Sequence, residues 1–331
     1  MKISYAPMSR NYSIDAIKIV AMRGVIMLHT SHDLMSESGY DLASFMYKSA
    51  VASIPLFFMV SGYLLLGRQD IGYGYILRKI IRILRYMAVI ILAFWLIRGL
   101  IKGNLIISDF ISIYIGSFFV KGPFFVFWYF GALIILYLIL PIANYIYRKY
   151  PSVFLLATIL LMVIQNCVFL NNLTIINGER IPAALRVYNW LTYLCLGGLM
   201  RNVKQIRGSM YMVVIMLIAN FFTQQYFIKA ANTSYCSFFY SAFPILVYTC
   251  SIFNYIEHIK LITPNKIITE LSKLFLIVFT IHPFFISPVC KIMQHIPYLA
   301  PLFIWISVSV LSIITGYLIM KLPGANKLLS I

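Results

Sequence analysis

Lys18 and His29 lie eleven residues apart in the first apolar segment, Ile14-Asp-Ala-Ile-Lys-Ile-Val-Ala-Met-Arg-Gly-Val-Ile-Met-Leu-His29. Eleven residues make close to three α-helical turns, so the two side chains share one helix face, roughly 16 Å apart along its axis. Asp15, three residues before Lys18, falls on the same side. An imidazole at His29 can take a proton from a hydroxyl and return it, because its unperturbed pKa is about 6.5. Ionisable groups inside a membrane span are costly and mark a site that faces protein or water. Two plainer readings share this spacing. His29 is then an interfacial histidine bonded to a neighbour, and Lys18 a cation that Asp15 makes tolerable. Asp33, one turn beyond His29, is placed to orient the ring, and reads equally as an ordinary loop residue. Arg23 is rotated about 140° from Lys18, off the shared face.

A second group is Arg78-Lys79-Ile-Ile-Arg82-Ile-Leu-Arg85. Arg78, Arg82 and Arg85 follow i, i+4, i+7 and form one helical stripe, and guanidinium forks suit phosphate oxygens. The same stripe also answers to the positive-inside rule and to lipid headgroups. Ser61-Gly62, in Pro55-Leu-Phe-Phe-Met-Val-Ser-Gly-Tyr63, permits close helix packing. His282, in Phe279-Thr-Ile-His-Pro283, reads as a core histidine or as a site residue, and Trp128 as an interface aromatic or a substrate contact.

The elements that carry these residues are membrane spans. The 331-residue chain is 62% hydrophobic and only 11% charged, against about 25% charged in soluble domains. Apolar runs near 20 residues recur along its length. They predict an all-α, polytopic transmembrane bundle of about ten spans, at 13–30, 44–66, 84–101, 128–147, 152–170, 188–203, 210–228, 236–256, 271–290 and 299–320. Asn104 to Val120 reads as an interfacial or re-entrant helix. The first apolar segment lacks a small-residue cleavage site and reads as a retained span.

The net charge is +18. It lies scattered in short loops, which argues for topology signals and anionic-lipid contacts and against nucleic acid. Lys and Arg weigh towards the side holding Lys2, Arg10, Arg68, the Arg78 run, Arg148, Arg201 and Lys260, against Lys48, Arg98, Arg180, Arg186 and Lys229 opposite. Both termini are therefore expected in the cytoplasm. Cys167, Cys195, Cys236, Cys250 and Cys290 have no metal or disulfide spacing and read as small core residues. Short loops, with no repeat or linker, predict one domain over 1–331.

In order and spacing these motifs resemble the acyltransferase 3 family of membrane-bound acyl transferases over nearly the whole chain. Ile14-Asp15-Ala-Ile-Lys18 with His29 matches the family's Ile-Asp-x-x-Arg and its histidine eleven residues on. Phe57-Phe58-Met-Val-Ser61-Gly62-Tyr63 matches its Phe-Phe-x-x-Ser-Gly-Tyr. Arg78-Lys79-x-x-Arg82, Trp128-Tyr129, Tyr137-Leu-Ile-Leu-Pro141 and Phe279-Thr-Ile-His282-Pro283 follow in the family's order. The chain departs with Lys18 for the usual arginine, Val126 for a frequent histidine and Arg85 for a frequent proline. The wording is nearest to the surface-polysaccharide O-acetyltransferases, such as that of enterobacterial common antigen.

The resemblance implies a multi-pass protein of the bacterial inner membrane that moves an acetyl group from cytosolic acetyl-coenzyme A to a hydroxyl of a surface or lipid-linked polysaccharide. It implies His29, Lys18 and Asp15 as catalytic residues, and Arg78, Lys79, Arg82 and Arg85 as the donor's binding residues. Ser61, Tyr63, Trp128 and His282 would contact substrate. Membrane lipids are the other partners. No permanently bound cofactor and no metal are expected. A glycan exporter or flippase of the same family is the alternative, and a structural or lipid-sensing membrane protein a third.

Overall fold

The computed structural model describes residues 11–36, 39–174, 181–230, 237–259, 266–293 and 298–325. Lys2, Arg10, Arg180, Cys236 and Lys260 lie outside them. In chain order the helices are α1 (Tyr12–Ser31), α2 (Leu42–Ala50), α3 (Ser53–Leu65), α4 (Tyr73–Lys102), α5 (Ile107–Ser117), α6 (Trp128–Lys149), α7 (Pro151–Thr174), α8 (Val187–Met200), α9 (Ser209–Ala230), α10 (Phe243–Glu257), α11 (Lys266–Ile281), α12 (Pro283–Met293) and α13 (Ala300–Lys321).

Asn11 starts α1, its side-chain oxygen accepting from the Ser13 and Ile14 amides at 3.0 and 3.2 Å. That satisfies two of the four orphan donors of a helix N-terminus. Ile14, Ile17, Ala21, Met22, Val25 and Ile26 are buried. α1 packs against α2, α3, α10, α11 and α13, and so runs through the middle of the bundle.

Each of the ten expected segments contains helix, and together they make a multi-pass membrane protein. Among the described residues six are long and apolar enough to cross a bilayer: Leu42–Leu65, Tyr73–Lys102, Phe125–Lys149, Pro151–Asn171, Ser209–Lys229 and Ala300–Lys321. The α11–α12 pair makes a seventh if its 74° bend is read as one broken span. The other three fall short for physical reasons. α1 carries Asp15, Lys18 and Arg23. α8 and α10 have 14 and 15 residues, about 21–23 Å of helix against a hydrocarbon core of about 30 Å. All three are packed within the bundle rather than laid against lipid. α5, inside the expected 104–120 segment, is 11 residues long and buries only Ile113 and Ser117.

Among the described residues the most extensive helix pairing is that of α3 and α8. A Cβ on Gly62 would collide with the Leu194 carbonyl, and one on Gly197 with the Met59 carbonyl. Two glycines facing each other's backbones let the helices touch, as small residues do at membrane-helix interfaces. At one end of this pair the loop after α3 is clamped. Gly67, at φ +87°, donates its amide to Asn144 Oδ1 at 2.7 Å, and Asn144 Nδ2 donates to the Arg68 carbonyl at 2.9 Å. Arg201 donates to the Leu66 carbonyl. These bonds fix Arg68 beside the start of α4.

Lys48 corrects one expectation. Counted among loop charges, it is buried in α2, at 1% exposure. Its ammonium donates to the Gly39 carbonyl at 2.9 Å and to Gln225 Oε1, and sits 4.4 Å from the centre of the Phe221 ring. Its own carbonyl accepts from Asn220 and Gln224 of α9, at 2.9 and 3.2 Å. A buried cation is retained when this well bonded.

Gly62→Val is expected to force α3 from α8 and destabilise the protein by about 1–3 kcal/mol, the range for overpacking. Thermal unfolding of purified protein in detergent checks this. An exposed control such as Leu138→Val is expected to leave the midpoint in place.

Candidate active site

α1 delivers His29 to one end of the bundle, where the break between α11 and α12 delivers His282. Pro283 has no amide hydrogen and clashes with the preceding turn, so α11 stops at Ile281 and the chain turns by 74°. His282 lies in that corner, fully buried. The two imidazole centroids are 5.3 Å apart, inclined by 31°. Phe125 meets the His29 ring edge-on at 5.2 Å.

His29 opens onto a cavity of about 440 Å³. Its wall includes His32, Tyr47, Phe125, Trp128, Arg186, Trp190 and Tyr240. Trp128 and Trp190 lie 5.3 Å apart. Trp190 Nε1 donates to the Ala183 carbonyl at 2.7 Å, which ties the ring to the turn leading into α8. Phe58 stacks on the Trp190 ring at 4.9 Å. The Tyr240 carbonyl accepts from Tyr193 and Gln165 at 2.7 and 3.1 Å, which anchors the turn that brings its ring to the wall. Arg186, buried in the wall, donates from Nε to the Ile181 carbonyl at 3.1 Å. A wall of aromatic faces with the imidazoles of His29 and His32 among them suits a substrate with flat apolar faces and a hydroxyl to be deprotonated.

Asp33 is not the orienter of His29. Its Oδ1 lies 2.5 Å from Nδ1 of His32, at the exposed rim. Arg23, off the shared face, stacks over Trp305 at 4.7 Å on the bundle exterior.

The expected residues separate into two ends. Lys18 lies three turns from His29 and pairs with Asp15 at 3.3 Å. Lys79 turns inward from α4 to within electrostatic range of Lys18, Arg82 and Arg68. Cations from three segments therefore converge at this end. Arg78, Arg82 and Arg85 are exposed along α4, one side of the helix as the spacing requires. Tyr63 belongs to the same end. Its hydroxyl hydrogen-bonds Glu257 and accepts from Asn11 Nδ2 at 3.5 Å, and Arg201 sits 5.9 Å from its ring centre. Ser61 lies between the ends, its Oγ donating to the Phe57 carbonyl at 3.1 Å and bonded to Tyr129. Trp128 is the one expected substrate contact that lines the cavity; His282 sits behind His29.

Sequence reasoning missed His32, Tyr47, Arg186, Trp190 and Tyr240. Arg186-Val-Tyr-Asn-Trp190 held a usable signal, an arginine and a tryptophan at the mouth of an unusually polar apolar segment.

The description Acyltransferase domain, that of the acyltransferase 3 family, matches residues 11–321. Comparison with curated proteins finds no match, and neither does comparison with solved structures. The match takes in α1 to α13 with both ends of the site, and the chain belongs to the acyltransferase 3 family as a multi-pass membrane acyltransferase.

Proposed function

We propose that the chain, as a single membrane-embedded domain over 1–331, transfers an acetyl group from cytosolic acetyl-coenzyme A to a hydroxyl of a surface or lipid-linked polysaccharide in the bacterial inner membrane. The observation that carries this reading is the placement of His29 at an aromatic-walled cavity on one end of α1, with a convergence of cations at the other. Lys79, Arg82, Arg78 and Arg85 bind the donor's phosphates, with Lys18 turned towards the acyl arm. Phosphates suit such a cluster because each charge-assisted bond is about twice as strong as a neutral one. The acceptor sugar stacks on Trp128 and its neighbours. His29 removes the hydroxyl proton as the oxygen bonds to the acetyl carbonyl carbon. The coenzyme A thiolate leaves and receives that proton. Lys18 orients the donor's arm towards His29, and Asp15 holds Lys18 in place. Ser61 and Tyr63 line the path between the two ends.

In this reading all ten helical segments cross the membrane. α1, α8 and α10 cross inside a shell of neighbours. Both termini are cytoplasmic, and the buried positions of Lys48 and Arg186 lighten the outer side's loop charge and strengthen the bias.

Three outcomes are expected. Reporter fusions give an outside signal at Asn172 and an inside signal at Gln205; the reverse pair sinks the topology. His29→Ala lowers acetyl transfer by about 10²–10⁴-fold, the usual contribution of general acid–base catalysis, with normal membrane abundance. Activity within about threefold of wild type removes His29 as base. Arg82→Gln weakens coenzyme A binding to purified protein by roughly 10–100-fold, equivalent to a lost charge-assisted bond of about 1.5–3 kcal/mol. A headgroup-binding role predicts unchanged donor affinity instead.

A further inference from the structure

Beside His29 the structure leaves one buried ring nitrogen without a hydrogen-bond partner, Nε2 of His282. The other nitrogen of that ring is committed, and the reason lies in the backbone. In a regular helix the Phe279 carbonyl accepts from the amide four residues on. That residue is Pro283, which has no amide hydrogen. His282 Nδ1 takes its place, 2.8 Å from the Phe279 oxygen. A carbonyl only accepts, so Nδ1 carries the proton, and Nε2 of the neutral ring is a bare acceptor. It points away from the Phe279 carbonyl, in a ring whose centre is 5.3 Å from that of His29. The two rings are not hydrogen-bonded as they stand, and a ring-to-ring N–H···N bond at this separation needs a turn of the His29 ring. Asp33, the carboxylate closest to His29 in sequence, is bonded to His32.

We propose that His282 is a positioning residue for His29. Its Nε2 accepts the His29 N–H and fixes that ring's tautomer, so that the remaining His29 nitrogen presents its lone pair to the cavity. This is the logic of a base oriented by a third group, with an imidazole in the place usually taken by a carboxylate. A neutral partner adds no charge to an apolar corner, where an unpaired carboxylate would be costly. The inference rests on reading His29 as the base.

The test compares His282→Phe, which keeps a ring and removes the acceptor, with His282→Gln, whose carbonyl supplies one. His282→Leu serves the first comparison if the phenyl ring is not accommodated. Acetyl transfer by purified protein is expected to show kcat lowered about 10–100-fold in His282→Phe, the usual loss when a supporting partner is removed. KM for both substrates should stay within about twofold, and His282→Gln within about threefold of wild-type kcat. The second readout needs no acetyl transfer. Diethyl pyrocarbonate attacks unprotonated imidazole nitrogen, and its rate at His29, read by mass spectrometry, is expected to fall in His282→Phe and hold in His282→Gln. Equal kcat losses in the two variants overturn the proposal, and so does an unchanged His29 labelling rate in His282→Phe. If wild-type protein transfers no acetyl group, the acetyltransferase reading fails, while the labelling comparison still decides the pairing.

Discussion

The contact of α3 with α8 sets the spacing on which both ends of the molecule depend. With Gly62 and Gly197 each facing the other helix's backbone, the two helices form one stiff unit. At one end this unit carries Tyr63, Leu66 and Arg201. At the other it carries Ile54 and Trp190, both in the cavity wall. A wider crossing would move the wall away from His29 and Arg201 away from the loop that holds Arg68. Lipid supplies no hydrophobic push between helices, so such a unit depends on packing and hydrogen bonds. Tyr86 performs a similar service between α4 and α11, its hydroxyl 2.6 Å from Thr280 Oγ1 and 3.2 Å from the Leu276 carbonyl. That bond lies one turn from His282.

The two ends obey different rules. At the cation end charge accumulates: Lys18, Lys79, Arg68 and Arg82 come close together with Asp15 beside Lys18. Such an arrangement favours an anionic visitor, because binding one relieves mutual repulsion. At the cavity end charge is sparse and the wall is built of rings. The helix α1 joins them over 20 residues, so in the proposed reaction a donor held at the cation end extends about three turns along it to reach His29.

How much of this could be read from the sequence followed from the range of each interaction. The shared face of Lys18 and His29 rests on a single helix and the 3.6-residue period, and it appears as expected. So does the exposed stripe of Arg78, Arg82 and Arg85. The period leaves Lys79 off that stripe, and only the family resemblance places it among the donor's residues; that it approaches Lys18 of α1 is a meeting that a period does not name. The bend at Pro283 was legible as a helix perturbation, but the meeting of His282 with His29 joins residues far apart in the chain. Trp190 and Tyr240 enter the wall through turns whose course propensity does not specify. Asp33 was one helical turn from His29 only while the helix continued; α1 ends at Ser31, and Asp33 bonds its own neighbour. The span count was harder, since α8 and α10 are apolar enough to be recognised but too short to stand alone in lipid.

The burial of Lys48 bears on how the protein is made. Its carboxamide partner, Gln225, stands 177 residues further along the chain. A lysine in the centre of an inserting helix costs about 2.5–3.5 kcal/mol on insertion scales. During synthesis α2 therefore enters the membrane with the Gly39 carbonyl available to its ammonium but long before the Gln225 carboxamide exists. Until then the site is incomplete. Only when α9 arrives can the lysine be drawn inward and Asn220 and Gln224 close on its carbonyl. Completion of this site is thus a late event, reached after most of the chain has been threaded, and α9 acts as the latch that ends it.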